Sequence, residues 1–260
     1  MSALNVILVP QLRDNYSYIV ICDATKEAAI VDCPEAAPMI AKLEELDVTP
    51  VAILNTHHHW DHISGNTELL ARWPQMQLYG HSSDKGRITG MTHPLEEGDT
   101  VKVGNHTAEV IFTPGHTSGH IAYWFAEAKQ LFVGDTLFYA GCGRIFEGTA
   151  EEMYSSAMKL AQLDPKATVY CGHEYTQSNI RFALSVEPDN EVLQALAKEV
   201  EQKRANGEPT IPYTLEQDLA VNPFLRVAEE ALRQAAKAHD ADLSNPASVF
   251  GTLREMKNNF

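Results

Sequence analysis

A cluster of imidazole and carboxylate side chains occupies residues 56–62, with the sequence Thr-His-His-His-Trp-Asp-His, directly after a short apolar run. His57, His59 and Asp61 are spaced by two residues, and His62 follows Asp61. In a turn that leaves a strand, His57 and His59 can converge on one point while Asp61 and His62 reach a second point nearby. Imidazole and carboxylate groups are good ligands for Zn²⁺ and other borderline first-row ions. The spacing therefore predicts a site for two metal ions.

Two simpler explanations of the histidine cluster fit the sequence less well. A purification tag is terminal and uniform, whereas this cluster is internal and contains Trp60 and Asp61. Structural zinc sites are usually closed by cysteine thiolates, and none of the 4 cysteines lies near the cluster. We expect these cysteines to remain free thiols, since their spacing contains no CxxC pair and does not indicate a disulfide framework.

Composition and charge narrow the class of protein. A chain of 260 residues permits one large domain or two unequal ones, and a hydrophobic content of 44% is ordinary for a globular protein. A net charge of −15 argues against a nucleic-acid partner, because binding of phosphate backbones needs clustered Lys and Arg. The sequence contains neither a signal peptide nor an apolar run of the ~20 residues that a membrane helix needs. We expect a cytoplasmic protein without a membrane partner.

Hydrophobic patterning predicts an α/β region followed by a helical region. The predicted strands are residues 6–9, 18–21, 28–31, 51–54, 100–103, 109–112, 120–125, 131–133 and 168–171. The predicted helices are residues 35–47, 66–72, 150–163, 190–205 and 224–239. Strand patterns almost vanish after about residue 175. We therefore predict one domain over residues 1–174 and a second, helical domain over residues 175–260.

Three further ligand-type side chains follow predicted strands. His116, Asp135 and His173 each come shortly after an apolar run and directly after a glycine, which lets the backbone turn and approach closely. Each residue alone would be more typical of a surface or capping side chain. Together with the cluster at 56–62, they predict the remaining ligands of a metal centre.

These motifs, THHHWDH, PGHTSGH, GD and GHE, resemble the metallo-β-lactamase superfamily. The resemblance implies an α/β fold, an αββα sandwich with metals at one edge. It also implies a first metal held by His57, His59 and His116, a second held by Asp61, His62 and His173, and a bridging Asp135. His120 is not a ligand in this pattern, and we expect it to be a structural hydrogen bonder.

Further segments resemble one branch, the hydroxyacylglutathione hydrolase (glyoxalase II) family. The quoted segments are residues 14–16 (DNY), 141–148 (GCGRIFEG), 174–175 (EY), 222–226 (NPFLR) and 254–257 (REMK). The resemblance implies a thioester hydrolase that converts S-D-lactoylglutathione and related 2-hydroxyacylglutathiones to glutathione and D-lactate, the second step of methylglyoxal detoxification. It implies a metal-bridging hydroxide oriented by Asp61 or Asp135, and two divalent ions, expected to be Zn with iron or manganese as alternatives.

The same resemblance assigns substrate-binding roles to Arg144, Tyr175, Arg254 and Lys257. Glutathione carries two carboxylates, which Arg and Lys can hold in an otherwise acidic protein. Arg254 and Lys257 are three residues apart and would share a helix face. Alternatively, they would simply complement the dipole at a helix end.

Two positions and several functions stay open. Phe146 stands where some members of the family have Tyr, so a hydroxyl contact to glutathione would be absent. Asp32 follows a predicted strand and would either hydrogen-bond a ligand histidine or end the strand as a turn residue. A sulfur dioxygenase, a nuclease and a non-catalytic metal-binding module are the rival functions. We expect a glutathione thioester as the small-molecule partner and a monomeric protein.

Overall fold

The computed structural model describes residues 3–260. Its strands are β1 (Leu4–Gln11), β2 (Asn15–Cys22), β3 (Glu27–Val31), β4 (Thr49–Leu54), β5 (Gln77–His81), β6 (His93–Leu95), β7 (Thr100–Val103), β8 (His106–Phe112), β9 (Ile121–Phe125), β10 (Gln130–Gly134), β11 (Leu137–Phe138), β12 (Gly141–Cys142), β13 (Thr168–Cys171) and β14 (Tyr213–Thr214). Its α-helices are α1 (Ala36–Glu45), α2 (Trp60–Ile63), α3 (Asn66–Arg72), α4 (Ala150–Ala161), α5 (Thr176–Val186), α6 (Glu191–Ala205), α7 (Leu215–Val221), α8 (Glu230–Lys237) and α9 (Pro246–Asn258). No helix within these residues is long and apolar enough to cross a bilayer.

The chain forms two compact units that do not follow chain order. The first comprises residues up to 112 together with Gly119–Gly134, and the second comprises Thr113–Ser118 together with Asp135–Phe260. The predicted domain division after residue 174 stays a prediction.

A mixed sheet of strands β1 to β6, in that order, forms one layer of the first unit. Strands β1 to β3 are antiparallel, whereas β3 to β6 are parallel to their neighbours. Because Val31 of β3 pairs with Leu54 of β4, the segments that leave these two strands start at the same sheet edge. Helices α1 and α3 contribute Met39, Leu43 and Leu69 to the apolar core of this sheet.

Strands β7 to β10 form an antiparallel array in the same unit and face the first sheet. The Tyr18 ring of β2 packs edge-on against the Phe132 ring of β10 at 5.6 Å between centroids. All five residues of β9 are buried, as expected for a strand covered on both faces. The two arrays of strands therefore pack against each other within the first unit.

The second unit is mostly helical. Helix α4 begins with a capping box, in which Thr149 and Glu152 satisfy each other's backbone N–H groups. Phe250 of α9 is fully buried, with its ring centroid 5.8 Å from that of Tyr154 and 5.4 Å from that of Phe224. These aromatic contacts join α4, α9 and the 222–226 segment into one core.

The predicted elements are largely confirmed, with one clear error. Helix α3 and strands β7 and β13 have the predicted limits. The helix predicted over residues 224–239 is wrong at its start, because α8 begins only at Glu230. The Asn222 side chain accepts the Phe224 N–H at 3.0 Å, which holds the chain in a turn at this point. The elements that were not predicted are strands β5, β6, β11, β12 and β14 and helices α2, α5, α7 and α9.

Replacing Ile53 with Ala tests the packing that supports the histidine cluster. Ile53 lies fully buried in β4, so we expect Ile53→Ala to lower the free energy of unfolding by about 2–5 kcal/mol. Val192→Ala removes apolar volume from an exposed helix position and should change the free energy of unfolding by less than about 0.5 kcal/mol. Urea unfolding at 25 °C measures both, and equal effects of the two variants would contradict the assigned core.

Candidate metal and substrate site

Asp32 is the centre of a buried hydrogen-bond network in the first unit. Its carboxylate accepts the Thr56 backbone N–H at 2.8 Å and the Thr56 hydroxyl at 2.7 Å. It also accepts from His62 Nδ1 at 2.9 Å. The alternative left open by the sequence is thereby resolved, since Asp32 does bond a histidine of the cluster. This contact directs the lone pair of His62 Nε2 away from Asp32.

Thr56 transmits the same effect to His57. The hydroxyl hydrogen of Thr56 is donated to Asp32, so its oxygen accepts from His57 Nδ1, 3.0 Å away. The lone pair of His57 then lies on Nε2, which is 3.1 Å from His59 Nδ1. Two nitrogens that bind one tetrahedral Zn²⁺ at ~2.0 Å are separated by roughly 3.3 Å. His57 and His59 therefore fit as ligands of a single ion.

Asp61 and His62 are placed by the short helix α2. The Asn15 side chain donates to Asp61 Oδ2 at 3.1 Å and to the Asp61 carbonyl at 3.0 Å, which fixes the carboxylate. His62 Nε2 lies 3.8 Å from Asp61 Oδ2. The remaining histidine of the cluster, His58, has its Nδ1 3.3 Å from the buried Asp84. Asp61 and His62 are therefore held side by side, as the predicted second ligand pair requires.

His120 and Gly134 support the first pair from beneath. The buried His120 ring stacks on His57 at 4.9 Å between centroids. Gly134 has a φ of +48°, and a Cβ there would lie 2.4 Å from Thr56 Oγ1 and 2.7 Å from His120 Nε2. A glycine is therefore required before Asp135, as the sequence pattern suggests.

In the second unit, Asp135 lies between two histidines. Its Oδ2 is 3.5 Å from His116 Nε2 and 3.3 Å from His173 Nε2. His116 Nδ1 lies 2.8 Å from the Arg144 carbonyl, to which it donates, so the lone pair of His116 is on Nε2. One carboxylate oxygen placed near two such nitrogens is suited to bridging two cations.

Three of the residues near the predicted substrate site lie on or close to the surface. Arg144 and Phe146 follow β12 with exposed side chains, and the Phe146 ring stands edge-on to His116 at 5.3 Å. Tyr175 stacks on the His173 ring at 4.7 Å with an interplanar angle of 6°. The Tyr175 ring is therefore oriented by a predicted metal ligand.

Arg254 and Lys257 lie on one face of α9, and both are partly or wholly buried. Arg254 donates to the Cys142 carbonyl at 2.7 Å, and its guanidinium lies 5.4 Å from the centre of the Phe224 ring. Lys257 Nζ donates to the Ser178 carbonyl at 2.7 Å and to the Ser178 hydroxyl at 2.9 Å. Both cations thus donate hydrogen bonds to other segments, which a charge that only complements the dipole of its own helix would not need to do.

Several other cations lie near Lys257. Burial, and then the nearby guanidinium groups of Arg254 and Arg181, lower the pKa of Lys257 to about 8, with Arg144 adding to the effect. Within residues 3–260, none of these four cations is within ion-pair distance of a carboxylate. A local excess of positive charge in a chain of net charge −15 is suited to binding an anion. Arg181 of α5 was missed from the sequence, because an isolated helix-surface arginine carries no motif.

Comparisons with known proteins agree with this geometry. Residues 12–173 match the model of the metallo-beta-lactamase superfamily, and residues 174–260 match that of the hydroxyacylglutathione hydrolase C-terminus. A hydroxyacylglutathione hydrolase of Synechococcus sp. (strain JA-3-3Ab) is 48% identical over 99% of this chain and 100% of its own length. One from Rhodospirillum rubrum is 47% identical over 100% of both chains. The chain belongs to the hydroxyacylglutathione hydrolase family.

A solved structure confirms the fold class. The BLEG-1 B3 metallo-beta-lactamase is 24% identical, with a TM-score of 0.66, and covers 85% of this chain and 100% of its own. The predicted αββα sandwich with an additional helical region is therefore confirmed. As a member of this family, the chain is a hydrolase with histidine and aspartate clusters that are able to bind two divalent metal ions.

Replacing Asp32 with Asn tests the network that orients the histidines. The Asp32 carboxylate accepts through both oxygens, whereas an amide has one accepting oxygen and one NH2 group. Its NH2 group would face either the Thr56 N–H or the Thr56 hydroxyl and His62, so the orientation of both imidazoles is no longer fixed. We expect Asp32→Asn to weaken metal affinity by roughly 10–100-fold, measured by competition with a chelator. Asp47→Asn is the control, because it makes the same substitution at an exposed position. The backbone φ of Asp47 is +50°, close to the +48° of Asp32. Equal metal affinity in the two variants would contradict the network.

Proposed function

We propose that this protein hydrolyses the thioester of S-D-lactoylglutathione and related S-2-hydroxyacylglutathiones, releasing glutathione and D-lactate. This is the second step of methylglyoxal detoxification. The observation that carries the proposal is the group of cations around Lys257, which accompanies a set of histidine and aspartate side chains typical of the superfamily. The family match over residues 174–260 supports it, since that region distinguishes this family from other members of the superfamily.

We assign seven side chains as metal ligands. The first ion would be held by His57, His59 and His116, the second by Asp61, His62 and His173, and both by Asp135. Oriented imidazole lone pairs and the central position of the Asp135 oxygen support this assignment. Zn²⁺ is the ion we propose, with iron or manganese as alternatives, because nitrogen and oxygen ligands suit all three. When bound, such ions supply an activated water and stabilise charge on the carbonyl oxygen.

The protein itself orients the reacting groups. Asp61 and Asp135 are carboxylates that can accept a hydrogen bond from the attacking water and so direct its lone pair at the thioester carbonyl. Asn15 holds Asp61 in place for this role. A thiol has an ordinary pKa of about 8.5, so glutathione leaves readily as a thiolate and a dedicated general acid is unnecessary.

We propose that Arg144, Tyr175, Arg254 and Lys257 hold the glutathione portion. Its two carboxylates would compensate the cations that now repel one another. The Phe146 ring is 60% exposed and offers an apolar surface without a hydroxyl group. Binding therefore depends on the charged side chains and on Tyr175.

The family match also supports proposals about the domains, the oligomeric state and the location of the protein. We propose that residues 1–174 form the catalytic domain and that residues 175–260 form the substrate-binding domain. We also propose that the protein is monomeric and cytoplasmic and has no nucleic-acid partner, in agreement with its negative charge. The rival sulfur dioxygenase function would consume oxygen, which separates the two activities.

A combined assay tests the proposed function. Loss of thioester absorbance from S-D-lactoylglutathione at neutral pH is followed together with the metal content of the same sample. We expect rapid turnover with close to two metal ions per chain and no oxygen uptake. No turnover by the fully metallated protein, or oxygen uptake with glutathione persulfide, would contradict the proposal.

The pH dependence of kcat/KM tests the role of Lys257. The pKa of Lys257 is near 8 in the free protein, so its charge is lost as the pH rises through this value. We expect kcat/KM, which reports the free enzyme, to fall through pH 8 in the wild type. Lys257→Met should raise KM and remove this decrease.

Lys237→Met is the matched control for Lys257→Met. Lys237 is an exposed lysine of helix α8 in the same unit, so its removal changes the net charge equally. We expect the Lys237→Met profile to match that of the wild type. An unchanged KM in Lys257→Met, or the same change in both variants, would exclude a direct role for Lys257.

A further inference from the structure

The hairpin formed by β11 and β12 connects two functional residues. Asp135 precedes it by two residues and Arg144 follows it by two residues. Its strands pair over two positions, Leu137 with Cys142 and Phe138 with Gly141. So short a hairpin is not stable through its own pairing and depends on its surroundings.

Side chains from three helical segments bind the backbone of this hairpin. Asn222 donates to the carbonyls of Gly141 at 2.9 Å and Phe138 at 3.4 Å. The Asp218 carboxylate accepts the Ala140 N–H at 2.8 Å, where the backbone has a φ of +57°. Two more bonds complete the set, from Asn179 to the Tyr139 carbonyl at 3.2 Å and from Arg254 to the Cys142 carbonyl at 2.7 Å.

Asp218 and Asn222 also fix each other. Asn222 Nδ2 donates to Asp218 Oδ2 at 2.9 Å, while Asn222 Oδ1 accepts the Phe224 N–H at 3.0 Å. Both side chains are completely buried. The amide of Asn222 therefore has one possible orientation, and its donors are committed to Asp218 and the hairpin.

Keeping Asp218 ionised in the folded protein is unfavourable because the side chain is buried. Burial raises the pKa of Asp218 to about 7, despite hydrogen bonds from Asn222 and Ala140 that lower it. The folded state thus holds the proton more tightly than the unfolded chain. The contribution of Asp218 to the free energy of unfolding is therefore full below its ordinary pKa of 3.8. It is lost as the pH rises through about 7, the pKa in the folded protein. A buried acid with this cost is more typical of a functional position.

Movement of the hairpin would affect three groups of the site together. Asp135 and Arg144 lie at its two ends, and the Arg144 carbonyl fixes His116. The chain is also tightly packed at Gly143, where a Cβ would lie 2.1 Å from the Asp135 carbonyl oxygen. There is consequently little room for one of these groups to shift alone.

We propose that Asp218 and Asn222 are positioning residues that hold the 137–142 hairpin, and with it Asp135, Arg144 and the His116 ring, in the geometry needed for thioester hydrolysis. Neither residue contacts a reacting atom, and both act through the hairpin backbone. Their catalytic consequence rests on the proposed function, whereas their effect on the hairpin does not.

Asn222→Ala tests this role, with Asn190→Ala as the matched control. Asn190 caps α6 in the same unit and also makes both donor and acceptor bonds, to Glu187 and Leu193. Hydrogen exchange of residues 137–143 is measured by mass spectrometry, together with kcat and KM well below the unfolding temperature. We expect faster exchange and a roughly 10–100-fold lower kcat/KM in Asn222→Ala, with kcat decreased and KM increased. Asn190→Ala should lower the free energy of unfolding, while the exchange of residues 137–143 and the value of kcat/KM stay as in the wild type.

A second variant covers the possibility that Asn222→Ala does not fold. Asp218→Asn keeps the side-chain volume but loses one acceptor, and it should show the same two effects. Unchanged exchange over 137–143 would overturn the proposal, as would faster exchange with wild-type kcat and KM. If the wild type does not hydrolyse the thioester, the proposed function fails, and the exchange data together with metal affinity at Asp135 still decide the positioning role.

Discussion

The candidate metal ligands depend on an acceptor behind each imidazole ring, because that acceptor fixes which ring nitrogen carries the lone pair. Asp32 supplies this acceptor to His62 directly and to His57 through Thr56. The Arg144 carbonyl does the same for His116. Without these acceptors each ring could adopt either tautomer, and metal affinity would fall. Asp32 and Thr56 follow the paired ends of β3 and β4, so the register of these two strands brings the acceptor and the histidine cluster together.

Charge distribution separates the two tasks of the molecule. The metal-ligand clusters are rich in carboxylates and imidazoles, whereas the C-terminal helices carry cations that no carboxylate within ion-pair range compensates in the described part of the chain. A lysine whose pKa is lowered to about 8 by burial and by neighbouring arginines is costly in the absence of an anion. Binding of a carboxylate would relieve that cost, which gives affinity and specificity through the same interaction.

Most strands and helices could be predicted from the sequence, because they follow local hydrophobic patterns, and the candidate ligand positions were likewise chosen from local motifs. The motif at 56–62 sits directly after an apolar strand, and strand-end glycines precede His116 and Asp135. Strands β5 and β6 were missed because one contains Gly and polar residues and the other has only three residues. Their identity as strands comes from parallel pairing with distant segments, which overrides weak local propensity.

The contacts that support the site could not be predicted in the same way. Asp218 and Ala140 are 78 positions apart, and Asn222 and Gly141 are 81 positions apart, so no local spacing connects them. Each looks ordinary in its own segment, as an acidic residue of a helix or an Asn before Pro. Their role becomes visible only when the three-dimensional structure shows which backbone groups they satisfy.

The central claim is that two metal ions share Asp135. Anomalous diffraction from crystals of the metal-loaded protein tests it directly. The account predicts two peaks about 3.5–4 Å apart, one on each side of the Asp135 carboxylate. One should be bound by His57, His59 and His116, and the other by Asp61, His62 and His173. A single peak in crystals of protein that hydrolyses the thioester at full rate, or two peaks that do not contact Asp135, would contradict the account.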